Sequence, residues 1–122
     1  MAKILVVDDN QQIRAMLTRF FSKHGHNVVA EEKPANALVF LNDNSCDLVI
    51  TDIEMPGGIN GLELTKRIKD KWNIPVVVIS GIADEDVETL AMIAGAEDLI
   101  KKPIELKYLL ALVNSRLSRI ER

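Results

Sequence analysis

The sequence is poor in the residues that disulfide-linked proteins and histidine-rich metal sites require. Its single cysteine, Cys46, excludes an internal disulfide and fits a reducing cytoplasm. Because Cys46 directly precedes an apolar run, we interpret it as a small buried side chain rather than as a nucleophile. The two histidines, His24 and His26, flank Gly25 at a predicted helix end and lack the spacing of metal ligands, so we expect surface positions for both.

Long apolar runs and an excess of positive charge are also missing. No stretch approaches the roughly 18 consecutive apolar residues that a membrane-spanning helix needs. Two aspartates interrupt the N-terminal apolar stretch, which argues against a signal peptide. The formal net charge of −3 argues against a surface that binds nucleic acid or membranes. We therefore expect a cytoplasmic protein with a single domain over residues 1–122, because a chain of 122 residues that is 48% hydrophobic can build one buried core.

What the sequence does contain is a regular alternation of short apolar runs and helical patterns. Continuous β-branched runs are typical of strands that are buried on both faces of a parallel sheet. The helical patterns begin at polar caps, such as Asn10 or Asp9 and Asn60, and two of them end at glycines, Gly25 and Gly95. The predicted strands cover residues 4–7, 27–31, 48–51, 75–79 and 98–100, and the predicted helices cover residues 10–25, 34–41, 60–72, 84–94 and 105–120.

Five βα units in sequence predict an α/β fold of the flavodoxin-like (βα)5 type. Right-handed crossovers lead to a doubly wound, parallel, five-stranded sheet with helices on both faces. A closed barrel of eight units needs about twice this length. With the strand order 2-1-3-4-5, the direction of winding changes between the first and third strands. Such sheets bind ligands at that point, beyond the carboxyl ends of the strands, so we expect the functional residues there.

Acidic residues follow the two strands that flank this point. Asp8 and Asp9 follow the first strand, and Asp52 follows the third. Carboxylates held about 4–5 Å apart repel each other by roughly 3–4 kcal/mol per pair at an effective dielectric near 20, so either one is protonated or a cation is bound. An all-oxygen site favours Mg²⁺, with Mn²⁺ as the alternative, over zinc. We predict that Asp8, Asp9 and Asp52 are metal ligands, with a further oxygen from the backbone carbonyl of Glu54.

Two more polar groups at strand ends favour phosphoryl transfer. Asp52 ends the central strand and is the candidate nucleophile, because a carboxylate can attack phosphorus to form an acyl phosphate. Ser80 ends the fourth strand and can donate to a phosphoryl oxygen. Lys102 follows the fifth strand and can offset the negative charge that accumulates in phosphoryl transfer. Each residue alone fits an ordinary turn, cap or surface position, but complementary groups on four strand ends of one sheet are poorly explained by coincidence.

Four segments carry these residues, and together they resemble the receiver domain of bacterial two-component response regulators, of the chemotaxis-regulator type, over essentially the whole chain: ILVVDDN, DLVITDIEMPG, PVVVISG and GAEDLIKKP. The resemblance implies Mg²⁺-dependent phosphorylation of Asp52 by the phosphohistidine of a sensor histidine kinase or phosphotransfer protein. It makes Asp8 and Asp9 the acidic pair and Ser80 the switch hydroxyl. It also makes Lys102 the lysine that precedes a cis proline.

The resemblance further implies a phosphorylation-operated switch that catalyses only its own phosphotransfer and dephosphorylation. The face of the fourth helix, fifth strand and fifth helix would bind a downstream effector domain or protein. In the last helix, 4-3-4-3 spacing fits packing on the sheet and, alternatively, a homodimer seam or a linker toward an effector. The residues with this spacing are Leu106, Leu110, Val113, Leu117 and Ile120.

Three features depart from the family pattern. Leu99 stands where an aromatic residue usually lies, three positions before Lys102, which puts transmission by a rotating ring in question. The loop after Asp52 is one residue longer than usual, at residues 57–60. Glu54 places an extra anion near the site, and our hypothesis is that it changes the lifetime of the acyl phosphate by steering or blocking water.

Other classes of protein are compatible with parts of this pattern. A flavin- or nucleotide-binding protein of the same fold needs backbone amides in a Gly- or Ser-rich loop after the first strand, whereas Asp8-Asp9-Asn10-Gln11 repels an anion without a metal. A phosphatase with an aspartyl nucleophile could use Asp52, but the chain has no evident cap domain. A receiver that acts by contact alone is a third alternative, and the complete set of site residues argues against it.

Overall fold

A computed structural model describes residues 2–55, 59–82 and 84–120, with the backbone alone at 119 and 120. Its strands and helices alternate along the chain as β1 (Lys3–Val7), α1 (Gln11–Lys23), β2 (Asn27–Glu31), α2 (Pro34–Asp43), β3 (Leu48–Asp52), α3 (Gly61–Lys71), β4 (Val76–Ser80), α4 (Glu85–Ala94), β5 (Asp98–Lys101) and α5 (Leu106–Ile120). The strands form one parallel sheet in the order β2-β1-β3-β4-β5. This confirms the predicted flavodoxin-like α/β fold and its strand order.

The central strands are slightly longer than the sequence predicts. Asp52 belongs to β3 because its backbone pairs with Ile79, and Ser80 belongs to β4 because it pairs with Lys101. The functional groups predicted to follow these strands are therefore held by the strand ladder itself. Gly57 and Gly58, in the loop predicted to be one residue longer than usual, lie outside the described residues, as does the side chain of Ile120.

The helix starts are capped by the asparagines that the sequence indicates. Asn10 Oδ1 accepts a hydrogen bond from the backbone N–H of Ile13 at 3.0 Å. Asn60 Oδ1 accepts from two backbone N–H groups in the first turn of α3, at 2.9 and 3.0 Å. Asn10, rather than Asp9, is therefore the cap of α1. The predicted end of α2 at residue 41 is too early, since the helix continues to Asp43.

Helices cover both faces of the sheet, and β3 and β4 are buried along their whole length. α1 and α5 pack on one face, while α2, α3 and α4 pack on the other. Each helix contributes an apolar stripe to its face, as expected for amphipathic helices in a doubly wound fold. The buried helix residues on the first face are Leu17, Phe21, Leu109, Val113 and Leu117, and those on the second are Ala37, Leu41, Leu64, Ile68 and Ala91.

The apolar spacing of α5 is used for packing within the chain. Leu109, Val113 and Leu117 are buried in the core shared with α1, and Leu106 and Leu110 pack against it. Ordinary packing thus explains the spacing through Leu117, which then gives no separate support to a dimer seam. Among the described residues no helix, α5 included, has the length and hydrophobicity needed to cross a bilayer.

The cysteine and the histidines lie away from the carboxyl ends of the strands. Cys46 is half-buried, its thiol donates to the backbone carbonyl of Leu48 at 3.2 Å, and burial raises the pKa of the thiol. These contacts agree with the structural role predicted for Cys46. His24 is exposed as expected, whereas His26 is half-buried rather than fully exposed, and its ring accepts a hydrogen bond from the backbone N–H of Ala2 at 3.3 Å.

The first residue of α3 lies directly against the end of β3. The backbone N–H of Gly61 donates to the carbonyl oxygen of Ile53 at 2.9 Å. A Cβ atom on Gly61 would lie 2.0 Å from the backbone oxygen of Asp52, far inside van der Waals contact. Glycine is therefore required at this position by the closeness of two backbones. This contact fixes α3 against the strand that carries Asp52.

We predict that Gly61→Ala lowers the free energy of unfolding by about 3 kcal/mol, the upper end of ordinary overpacking effects, because the clash is with backbone that cannot rotate away. Urea unfolding followed by circular dichroism measures the change. Gly81→Ala is the control, since a Cβ atom there has its nearest neighbour at 4.0 Å, and we expect a change below about 0.5 kcal/mol. Equal stability of Gly61→Ala and the wild type would contradict the close approach.

Candidate functional site

Four strand ends converge at one edge of the sheet, around the switch point between β1 and β3. Asp8 follows β1, Asp52 ends β3, Ser80 ends β4 and Lys102 follows β5. Asp8, Asp52 and Ser80 are 1%, 3% and 0% exposed, while the Lys102 side chain is 29% exposed. The structure thus brings together residues from four separate segments of the sequence, as their positions at strand ends predict.

Three carboxylates form a cluster at this edge. Asp8, Asp9 and Asp52 each offer one oxygen, and these oxygens all lie within 4.8 Å of one another. Asp8 and Asp52 are buried whereas Asp9 is exposed, so solvent reaches the cluster from the Asp9 side. The carboxylate of Glu54 bonds instead to Ser80 and Gly81. That its backbone carbonyl serves as a metal ligand stays a prediction.

Each buried carboxylate uses one oxygen within the protein and leaves the other unpaired. Asp8 Oδ1 accepts from the backbone N–H of Asn10 at 2.9 Å, and Asp52 Oδ2 accepts from Lys102 Nζ at 3.3 Å. Asp8 Oδ2 and Asp52 Oδ1 are buried without a hydrogen-bond partner among the described residues. Buried anionic oxygens without partners are strongly destabilising. The pair therefore fits a bound divalent cation, and Mg²⁺ or Mn²⁺ prefers oxygen ligands of this kind.

Burial raises the pKa of both buried carboxyl groups. The pKa of Asp52 rises from 3.8 to about 6, first because burial disfavours the charged form and then because of the negative charge on Asp8. Lys102 opposes this rise through its charge and its hydrogen bond, and Glu54 adds to it. Burial also raises the pKa of Asp8, against the lowering effect of the backbone N–H of Asn10. At neutral pH the site thus holds negative charge that the surrounding protein does not fully neutralise.

Lys102 is held with its ammonium group toward Asp52. Its backbone N–H donates to the carbonyl oxygen of Ser80 at 2.9 Å, which fixes the chain just after β5. The Lys102–Pro103 peptide bond is cis, as the family resemblance implies. The inward position of the side chain agrees with the predicted role of Lys102 as a fixed positive charge.

Ser80 and Gly81, at the end of β4, are both bonded to the carboxylate of Glu54. Ser80 Oγ lies 2.7 Å from Glu54 Oε2 and 2.6 Å from the carbonyl oxygen of Ile82, so these two acceptors compete for its single proton. The backbone N–H of Gly81 donates to Glu54 Oε1 at 3.0 Å. Sequence reasoning placed Glu54 near the site but missed this bridge. The available signal was that Glu54 and Ser80 lie at the ends of neighbouring strands.

Comparison with known proteins agrees with this geometry. Residues 4–114 match the family model of the response regulator receiver domain. PilH of Pseudomonas aeruginosa is 33% identical over 97% of this chain and 99% of PilH. The TorCAD operon transcriptional regulatory protein TorR of Escherichia coli is 29% identical over 97% of this chain and 51% of TorR. The chain thus spans about half the length of TorR and of some other curated relatives. A two-component response regulator from Clostridium difficile superposes with a TM-score of 0.95 over 100% of both chains, at 25% identity.

We predict that Asp52→Asn stabilises the metal-free protein, and more so at pH 7.5 than at pH 5. A carboxyl with a raised pKa binds its proton more tightly in the folded state, so stability falls as the pH rises from about 4 to about 6 and stays low above that. A rise to about 6 corresponds to about 3 kcal/mol at pH 7.5 and to roughly half of that at pH 5.

Thermal melting in the presence of a chelator measures the stability difference between Asp52→Asn and the wild type. We expect the melting temperature of the variant to be several degrees higher at pH 7.5. Asp43→Asn is the matched control, because Asp43 is exposed at the end of α2 and the same chemical change is made there. A lower melting temperature for Asp52→Asn than for the wild type at pH 7.5 would show that the ionised carboxylate of Asp52 does not destabilise the folded protein.

Proposed function

The chain belongs to the response regulator receiver domain family, and we propose on that premise that it is a switch operated by phosphorylation of Asp52. The observation that carries the proposal is the pair of unpaired buried oxygens on Asp8 and Asp52 beside the ammonium group of Lys102. The phosphoryl donor is the phosphohistidine of a sensor histidine kinase or a phosphotransfer protein in the cytoplasm. Membership of this family favours the switch over the flavin- or nucleotide-binding protein and the aspartyl phosphatase considered from the sequence.

In this proposal Asp8, Asp9 and Asp52 hold Mg²⁺, with the backbone carbonyl of Glu54 as a further ligand. The bound ion supplies positive charge that offsets the repulsion between the carboxylates and an incoming phosphoryl group. Lys102 lowers the pKa of Asp52 and so favours its ionised form, which is the form that can act as a nucleophile. The residues of the chain thus prepare one carboxylate for attack on phosphorus.

The proposed reaction is a single phosphoryl transfer to the protein itself. A carboxylate oxygen of Asp52 attacks the phosphorus atom, and the P–O bond forms as the P–N bond to the histidine breaks. The electron pair of the P–N bond returns to the imidazole ring, which takes up one proton. Hydrolysis of the acyl phosphate by water later restores Asp52, so the domain catalyses only its own phosphotransfer and dephosphorylation.

The output surface in this proposal is the face formed by α4, β5 and α5. A phosphoryl group changes the affinity for a partner only if it bonds differently in two arrangements of the protein. Ser80 can provide that difference, because it lies at the end of β4 just before α4. We propose that this face binds a downstream effector domain or protein, with a second copy of the chain as the alternative. The large exposed apolar side chains of α4 and α5 are Leu90 (52% exposed), Met92 (77%), Ile93 (76%) and Tyr108 (55%).

We predict that Asp52→Asn abolishes labelling by a small phosphodonor such as acetyl phosphate with Mg²⁺, because the amide is not a nucleophile for phosphorus. Mass spectrometry of the intact protein under mildly acidic conditions measures the label. Asp43→Asn, which makes the same change at an exposed site, should be labelled like the wild type. Stoichiometric label on Asp52→Asn would refute Asp52 as the phosphoacceptor.

We also predict that Mg²⁺ raises the melting temperature of the wild type and that Asp8→Asn loses most of this effect. A ligand that binds only the folded state stabilises it by an amount that grows with the logarithm of its affinity, and Asp8 contributes an unpaired buried oxygen to the cluster. We expect binding at least about tenfold weaker, or roughly 1.4 kcal/mol less stabilisation at high Mg²⁺. Equal Mg²⁺ responses of Asp8→Asn and the wild type would place the ion elsewhere.

A further inference from the structure

Glu54 connects the loop after β3 to the end of β4 through both of its carboxylate oxygens. Oε2 accepts from the Ser80 hydroxyl at 2.7 Å, and Oε1 accepts from the backbone N–H of Gly81 at 3.0 Å. A hydroxyl and a backbone N–H that converge on an oxyanion also suit the oxygens of a phosphoryl group. The side chain of Glu54 thus fills a small anion-binding position within the protein itself.

The donors at this position cannot serve two anions at once. The Ser80 hydroxyl has one proton, and the carbonyl oxygen of Ile82 at 2.6 Å already competes with Glu54 for it. The Ser80 oxygen already accepts from the backbone N–H of Ile82 at 2.9 Å. The backbone N–H of Gly81 is likewise a single donor directed at Glu54. While the bridge is formed, neither group is available to a phosphoryl oxygen on Asp52.

Repulsion between the two acidic side chains acts against the bridge once a phosphoryl group is present. The negative charge of Glu54 raises the pKa of Asp52, so the two carboxylates are close enough to repel each other. A phosphoryl group carries about −1.5 to −2 charges at neutral pH, more than the single charge of a carboxylate. Phosphorylated Asp52 therefore repels Glu54 more strongly than free Asp52 does.

We propose that Glu54 is an internal competitor of the phosphoryl group. It holds Ser80 and Gly81 in the resting protein and releases both when Asp52 is phosphorylated, so the strength of the bridge determines how readily the switched arrangement forms. The inference rests on the proposed function, since it requires a phosphoryl group on Asp52. It concerns formation of the switched state, and it is separate from any effect of Glu54 on water attack and acyl phosphate lifetime.

The test uses beryllofluoride, an analogue of the phosphoryl group, and compares its affinity in the presence of Mg²⁺ for the wild type, Glu54→Ala and Glu54→Asp. Both variants keep the backbone carbonyl of Glu54, so metal ligation by that atom is unchanged. Glu54→Asp keeps the negative charge but is one methylene shorter and cannot reach both donors. We expect affinity to increase about three- to tenfold in both variants. Wild-type affinity in Glu54→Asp would mean that charge alone matters, and it would overturn the bridge as the competitor.

A second measurement follows the bridge itself, through the backbone amide resonance of Gly81. We expect the backbone amide resonance of Gly81 to shift in metal-free Glu54→Ala and Glu54→Asp, and to shift in the wild type when beryllofluoride and Mg²⁺ are added. Glu63→Asp, a matched change on the first turn of α3, should leave both the resonance and the affinity unchanged. Unaltered Gly81 resonances in both Glu54 variants would contradict the inference.

The two proposals fail in different ways. If no protein, the wild type included, binds beryllofluoride at Asp52, the proposed function is wrong and the inference is lost with it. If the wild type binds beryllofluoride and both Glu54 variants bind it with the affinity of the wild type, the proposed function stands. In that case only the role of Glu54 as a competitor is wrong.

Discussion

The burial of negative charge at the carboxyl edge of the sheet is the constraint on which the site depends. Asp8 and Asp52 are almost fully buried, and each has one oxygen without a partner among the described residues. Lys102 lowers the pKa of Asp52, but burial and then the negative charge of Asp8 outweigh it and raise the pKa to about 6. Because the remaining charge is unfavourable, the same arrangement favours binding of a divalent cation. The proposed affinity for a cation and the reduced stability therefore have one physical origin.

The fold tolerates the repulsion between the buried carboxylates because the strand ends cannot easily move apart. β3 and β4 are buried along their whole length between two layers of helices. Asp52 and Ser80 are held in the ladder by their pairing with Ile79 and Lys101. At Gly61 the backbone of α3 packs directly against the end of β3. Repulsion between carboxylates is therefore resisted by the core.

Strand register explains which parts of the site could be predicted from the sequence. Asp52, Ser80 and Lys102 follow apolar runs that fit buried strands, so their convergence follows from the topology of a parallel sheet. The strand order indicates only that Glu54 and Ser80 are neighbours, and the bridge itself was missed because the direction of a loop side chain depends on nearby donors such as Gly81 rather than on periodicity. The strand ends were misplaced by one residue for a related reason, since polar residues in a ladder interrupt the apolar pattern without ending the strand.

Leu99 cannot supply a rotating aromatic ring, so in the proposed switch a change at Ser80 reaches the outer face by another route. Leu99 packs against the core on the side of α2, α3 and α4, which is a structural role. Ser80 Oγ contacts both the carbonyl oxygen and the N–H of Ile82, so moving this hydroxyl alters the backbone that leads to α4. Ala91 is the buried residue of α4, and a helix with so little buried surface can shift at small energetic cost. In the proposed switch, the backbone at Ile82 is thus the first step from the acidic site toward the exposed apolar side chains of α4.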